Sequence, residues 1–192
     1  MGGIGKTQIA LEYVYAKKTN YERIYWITAI DQASLFFGYQ KIAKIAGLKN
    51  VLSLKPQDIA EGVLSWLRQK QNWLLVIDNL DNIEIMKDFL PGSGPQKHTI
   101  ITTRNPNAAG IPAEGIEVPL LESDDAVDLL SILSTIAIAP NSPEKIHADK
   151  IIQNLGNLPL AIEQAAAYVR EAAGNLATFL EEYDKSSKEL HK

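Results

Sequence analysis

Residues Gly2-Gly3-Ile4-Gly5-Lys6-Thr7 constrain this chain more than any other stretch. They are the second half of the pattern G-x-x-x-x-G-K-[ST], a loop that joins a buried strand to a helix and wraps phosphate at the helix start. With no Cβ at Gly3 or Gly5, backbone amides can approach phosphate oxygens closely. Lys6 would reach the β- and γ-phosphates as a mobile point charge, and Thr7 would offer its hydroxyl to Mg2+. The spacing puts the first glycine of the pattern one residue before Met1, so the strand that should feed the loop is not in this sequence. The plainer reading of these residues alone is a glycine-rich irregular start ahead of a helix.

The hydrophobic pattern beyond the loop outlines the elements that follow. Lys6 to about Lys18 reads as a helix, with Ile9, Leu11, Tyr13 and Val14 apolar. Arg23–Thr28 is β-branched and aromatic and reads as a strand. Ser34–Ala46 and Pro56–Gln69 have apolar residues at helical spacing, the second with proline in its first turn. Trp73–Ile77 is a continuous apolar run, as a parallel strand buried on both faces would be. A short helix over Ile83–Leu90, a strand over Thr99–Thr103 and a brief strand at Ile116–Val118 follow.

From there the pattern is helical only. Asp124 and Asp125 put negative charge in the first turn of a helix running to about Leu133. Ser142-Pro143 reads as an N-cap and first helical residue. Leu158, Ile162, Ala165 and Val169 mark a further helix, and Asn175 caps a last one. Alternation of strand and helix predicts an α/β parallel sheet over residues 1–120, and the remainder a small α-helical subdomain over 121–192.

Composition removes several function classes. The 192 residues suffice for one domain with a core, or one domain plus a small appendage. Net charge is −4 and no Lys/Arg block is present, which argues against a nucleic-acid partner. No apolar run approaches the roughly 20 residues of a membrane helix. There are no cysteines, which excludes disulfides and thiolate zinc sites and fits a reducing, cytoplasmic setting. The three histidines are scattered.

Asp78 follows the apolar run Trp73–Ile77 directly, where a phosphate-loop protein holds a carboxylate for Mg2+. Alone it would read as a turn residue; about seventy residues after Thr7, in the right order, it gains the functional reading. Many such ATPases place a second acid beside this one to activate water. Asn79 stands there and cannot act as a base, which predicts slow hydrolysis; Asp81, two residues further, reads either as a compensating acid or, the plainer reading, as a surface turn residue. Arg104, closing its strand, either faces the ligand crevice and reads a γ-phosphate or is simply solvated. Gly156-Asn157-Leu158-Pro159-Leu160 opens a helix, and proline there is by itself only a start signal.

Taken together, Gly2–Thr7 with Gln8–Tyr13, Leu74–Asn79, Ile100–Arg104 and Gly156–Leu160 resemble four ordered motifs of the NB-ARC family of signal-transduction ATPases. The Asp78-Asn79 pair and the stretch Gln164–Val169 resemble the fungal and bacterial branch, which often carries tetratricopeptide repeats downstream. The resemblance implies a switch in which ADP holds a closed state and ATP permits opening and assembly. It implies that Gly3, Ile4, Gly5, Lys6, Thr7 and Gln8 bind the phosphates, with Thr7 and Asp78 at Mg2+. Arg104 becomes the γ-phosphate sensor and Pro159 the residue packed on adenine. Met1 falls on the internal methionine of the family's loop, so the chain is expected to be a piece of a longer protein whose other domains supply self-association or effector partners.

In that class the loop's strand lies between the Thr99–Thr103 and Ile116–Val118 strands. Both are therefore expected to carry an unpaired edge here, and a fully paired five-stranded sheet would contradict this. An ordinary phosphate-loop ATPase or kinase, and a fragment that no longer binds nucleotide, are the alternatives to the switch.

Overall fold

The computed structural model describes residues 2–49, 54–106 and 111–190. The chain divides into two compact units: Lys6–Ile116, and Glu117–Lys192 together with Met1–Gly5.

The first unit is a parallel sheet of three strands in the order β1 (Arg23–Thr28), β2 (Trp73–Asp78), β3 (Lys97–Ile101). The register pairs Thr28 with Asp78 and Ile77 with Ile101, so the strands end together. Both faces of β2 are covered, which is why its sequence is uniformly apolar. One face, carrying Tyr25, Ile27, Trp73, Leu75 and Ile77, packs on α2 (Gln32–Ile45) and α3 (Pro56–Gln69). The other, with Leu74 and Val76, packs on Ala10 of α1 (Lys6–Lys17).

Local chemistry sets the element ends. Asp31 and Ser34 form a reciprocal capping box: the Ser34 N–H donates to Asp31 Oδ1 at 2.7 Å and the Asp31 N–H to Ser34 Oγ at 3.1 Å. That starts α2 at Gln32, two residues before the periodicity suggests. Pro56 occupies the first turn of α3 as expected. The indole N–H of Trp73 donates to the Leu67 carbonyl at 3.0 Å and ties the start of β2 to the end of α3.

Three expectations need correction. The Thr99–Thr103 strand runs instead from Lys97 to Ile101. Just past β2, Asn79 takes a left-handed φ of 67°; its N–H donates to the Thr102 hydroxyl at 2.9 Å, and Thr102 bonds the Ile77 carbonyl at 3.0 Å and the Leu80 N–H at 2.9 Å outside the regular strand. The helix expected over Ile83–Leu90 is a single 3-10 turn, Ile83–Met86, capped by Asn82. Ile116–Val118 is not a strand: it pairs with no strand among the described residues, and Ile116 is 86% exposed. Among the described residues β3 keeps one unpaired edge, and no five-stranded sheet forms.

The second unit holds α4 (Ser123–Ser134), α5 (Pro143–Leu155), α6 (Pro159–Tyr168) and α7 (Leu176–Leu190). Its own core is built from Val127, Leu130, Ile151, Ile162, Val169 and Phe179, among others. Ser142 caps α5 through the Lys145 N–H at 3.2 Å, and Asn175 caps α7 through the Thr178 N–H at 2.8 Å, as the sequence indicates.

Candidate functional site

In a parallel α/β sheet, ligand-binding groups collect beyond the carboxyl ends of the strands. Here Asp78 ends the central strand. The Thr7 hydroxyl, in the first turn of α1, donates to Asp78 Oδ1 at 2.9 Å. The Thr102 hydroxyl donates to the same oxygen at 2.5 Å. Thr102 is buried, and its position follows from the register, because it continues β3 one residue past the Ile77–Ile101 pair. No motif marks Thr102 in the sequence; the strand register is the signal that points to it.

Arg104 and Asp81 make the second feature. Asp81 Oδ1 accepts the Arg104 backbone N–H at 2.8 Å, and Oδ2 accepts the Nε–H at 2.7 Å. The Arg104 Nη2 also contacts Oδ2, at 2.5 Å. The hydrogen bond from Arg104 is the main cause holding the Asp81 carboxyl below its ordinary range, with smaller help from the Lys6 charge. The same bond raises the arginine's own pKa. Asp81, read from sequence as a turn residue, is therefore the partner of Arg104. No local sequence pattern announces a pair separated by the whole β2–β3 connection.

Two cations, Lys6 and Arg104, thus act on one carboxylate beside the Thr7–Asp78 pair. Gln8 is drawn along α1, its side-chain amide donating to Glu12 at 3.2 Å. The donors Thr7 and Asp78 are hard oxygens, a set that suits Mg2+ with water and phosphate completing its shell. Among the described residues no cluster of three or more His, Cys, Asp or Glu could hold a metal unaided.

Gly3, Ile4 and Gly5 belong with the helical unit. Gly3 takes a φ of 76°, and its carbonyl accepts the Leu160 N–H at 3.2 Å. A Cβ on Gly3 would lie 2.8 Å from Leu158 Cδ2 and 3.1 Å from Leu160 Cβ. Within this unit the start of the chain and the residues flanking Pro159 are therefore in contact. Pro159 itself is the first residue of α6 and is half-buried.

The family model for the NB-ARC domain matches residues 1–137. The chain belongs to the NB-ARC family. A nucleotide-binding leucine-rich repeat (NLR)-like protein of Hyaloscypha variabilis is 30% identical over 97% of this NB-ARC chain. The chain spans 21% of that relative's length. No described helix of this NB-ARC domain is long and apolar enough to cross a membrane.

Proposed function

We propose that this NB-ARC domain is the nucleotide-binding module of a signalling protein and works as an ADP/ATP switch with slow or no hydrolysis. Family membership and the fungal relative support the nucleotide-binding, signalling part of this reading. The observation that carries the rest is the hydrogen bond from Thr7 to Asp78, which brings the two expected Mg2+ groups together at the carboxyl end of the central strand.

In this reading Gly3, Ile4, Gly5 and Gln8 line the phosphates, Lys6 neutralises them, and Arg104 senses the γ-phosphate. Thr7 and Asp78 would hold Mg2+, whose charge would offset that of the phosphates. Pro159 packs on adenine. Residues 1–120 form the nucleotide-binding part and 121–192 the helical part. Asn79 offers no carboxylate next to Asp78, so no general base activates water and the bound triphosphate persists. A long-lived bound state is what a switch needs and an ordinary ATPase does not. Effector or self-association partners then lie in other domains of the protein, in the cytoplasm.

Calorimetric titration of ADP and ATP with Mg2+ into wild type and Lys6→Ala tests the reading. It expects binding in the wild type and a large loss in the variant. Equal heats from both proteins would overturn it, and turnover of many per second would overturn the switch in favour of an ordinary ATPase.

A further inference from the structure

The proposed switch leaves Asp81 without a task, yet this carboxylate is the most tightly engaged acid of the site. It takes the Nε–H and Nη2 side of the Arg104 guanidinium on Oδ2 and the Arg104 backbone N–H on Oδ1. That side of a guanidinium is a fork suited to a carboxylate or a phosphate. Asp81 is held from behind as well: its N–H donates to the Asn79 carbonyl at 3.2 Å, and its carbonyl accepts the Asn105 side-chain amide at 3.4 Å. Lys6 adds its field to the same carboxylate. Arg104, the cation assigned to the γ-phosphate, therefore already has Asp81 as its partner.

We propose that Asp81 is an internal competitor of the γ-phosphate: it holds Arg104 when no γ-phosphate is present and yields it when ATP binds, and so sets the preference for ADP over ATP. This rests on the nucleotide-switch reading above. The physical argument is one of exchange. A guanidinium fork that is already paired gains from a γ-phosphate only the difference between two oxyanion contacts. ADP has no γ-phosphate to offer the fork and so does not compete with Asp81 for Arg104. The pair therefore lowers ATP affinity selectively. Its partly exposed position, with Arg104 at 58% and Asp81 at 30%, keeps the effect modest and the exchange reversible.

The test measures ADP and ATP dissociation constants for the 192-residue chain and four variants, with Mg2+ present, by fluorescence of labelled nucleotides. Asp81→Asn keeps the size and the Oδ1 acceptor but removes the charge. It is expected to tighten ATP by about threefold to fivefold, a ratio in keeping with one exposed ion pair, and to leave ADP unchanged. Asp81→Glu keeps the charge and is expected to retain most of the wild-type ATP/ADP ratio. Arg104→Ala is expected to weaken ATP further and leave ADP unchanged, and the double variant Asp81→Asn, Arg104→Ala to match Arg104→Ala alone. That last identity is the signature of action through Arg104, which a merely structural aspartate would not give. A parallel weakening of both nucleotides in Asp81→Asn, a selective loss of ATP, or an unchanged ratio in a variant with wild-type circular dichroism overturns the proposal while leaving the switch intact. If wild type and Lys6→Ala bind alike, the switch reading fails and the competitor role falls with it.

Discussion

Thr7 and Asp78 lie 71 residues apart in sequence and share a hydrogen bond of 2.9 Å. With Thr102 on the same oxygen at 2.5 Å, the carboxylate is fixed by two hydroxyls, one from a helix start and one from the chain leaving the neighbouring strand. In the proposed switch, a carboxylate oriented in this way would hold a hydrated cation. Asp78→Asn should remove the Mg2+ dependence of ADP binding, a loss on the order of 10- to 100-fold in the metal-dependent part, with binding in EDTA little changed. Paired titrations with Mg2+ and with EDTA check this; the same Mg2+ effect in variant and wild type would contradict the metal assignment.

Asn79 stands exposed beside that carboxylate, in a left-handed conformation with φ 67°. Aspartate tolerates this conformation nearly as well as asparagine, so Asn79→Asp should fold normally. It would supply the acid that the sequence lacks. General-base assistance is worth about 100-fold or more, and phosphate release at saturating ATP and Mg2+ should rise accordingly. An unchanged rate would contradict the role given to Asn79 in the proposed switch.

The sheet was legible in the sequence wherever burial dictates residue type. Trp73–Ile77 could only be covered on both faces, and it is. Pro56, Ser142 and Asn175 marked helix starts because capping is local chemistry. The readings that failed depended on a partner. Ile116–Val118 has strand-like composition but no strand partner among the described residues, and the Thr99–Thr103 strand ends early where Asn79, at the exit of the neighbouring strand β2, turns left-handed. The candidate site divides in the same way. Thr7 and Asp78 stand out as motif residues, whereas Thr102 and the Asp81–Arg104 pair arise from register and long-range contact, which no spacing in the chain displays.

Gly3 tests the packing of the chain's start within the helical unit. Its φ of 76° favours glycine, and an added Cβ would meet Leu158 Cδ2 at 2.8 Å. Gly3→Ala should therefore cost at least about 1–2 kcal/mol from backbone strain, before the clash is counted. Urea unfolding measures this. Because Leu158 makes the closest contact, Leu158→Ala should destabilise the Gly3→Ala protein less than it destabilises wild type. Strict additivity of the two changes would show that the contact does not matter.

Gly38 probes the other unit. A Cβ there would sit 2.6 Å from Ile27 Cβ, so α2 can approach β1 only with glycine at this position. Gly38→Ala should push the helix off the strand and destabilise by about 1–3 kcal/mol, as overpacking of a filled core does. A midpoint in urea equal to that of wild type would mean that the helix shifts at no cost.

The Asp81–Arg104 pair has a defined pH dependence. Its carboxyl is held below the ordinary range, first by the hydrogen bond from Arg104, with the charges of Arg104 and Lys6 adding and partial burial opposing. A carboxyl with a lowered folded-state pKa binds fewer protons in the native protein than in the unfolded chain between the two values. Its contribution is then fully present above the unfolded value of about 3.9 and fades as pH falls through the lower folded value. The pair should stay intact from neutral pH down to about pH 4.5 and open only below the unfolded carboxyl value. An NMR titration of the Arg104 Nε–H resonance should be flat over the upper range and move only in acid, and Asp81→Asn should abolish that movement. A midpoint at or above about 3.9 would show that Arg104 does not hold the carboxylate in solution.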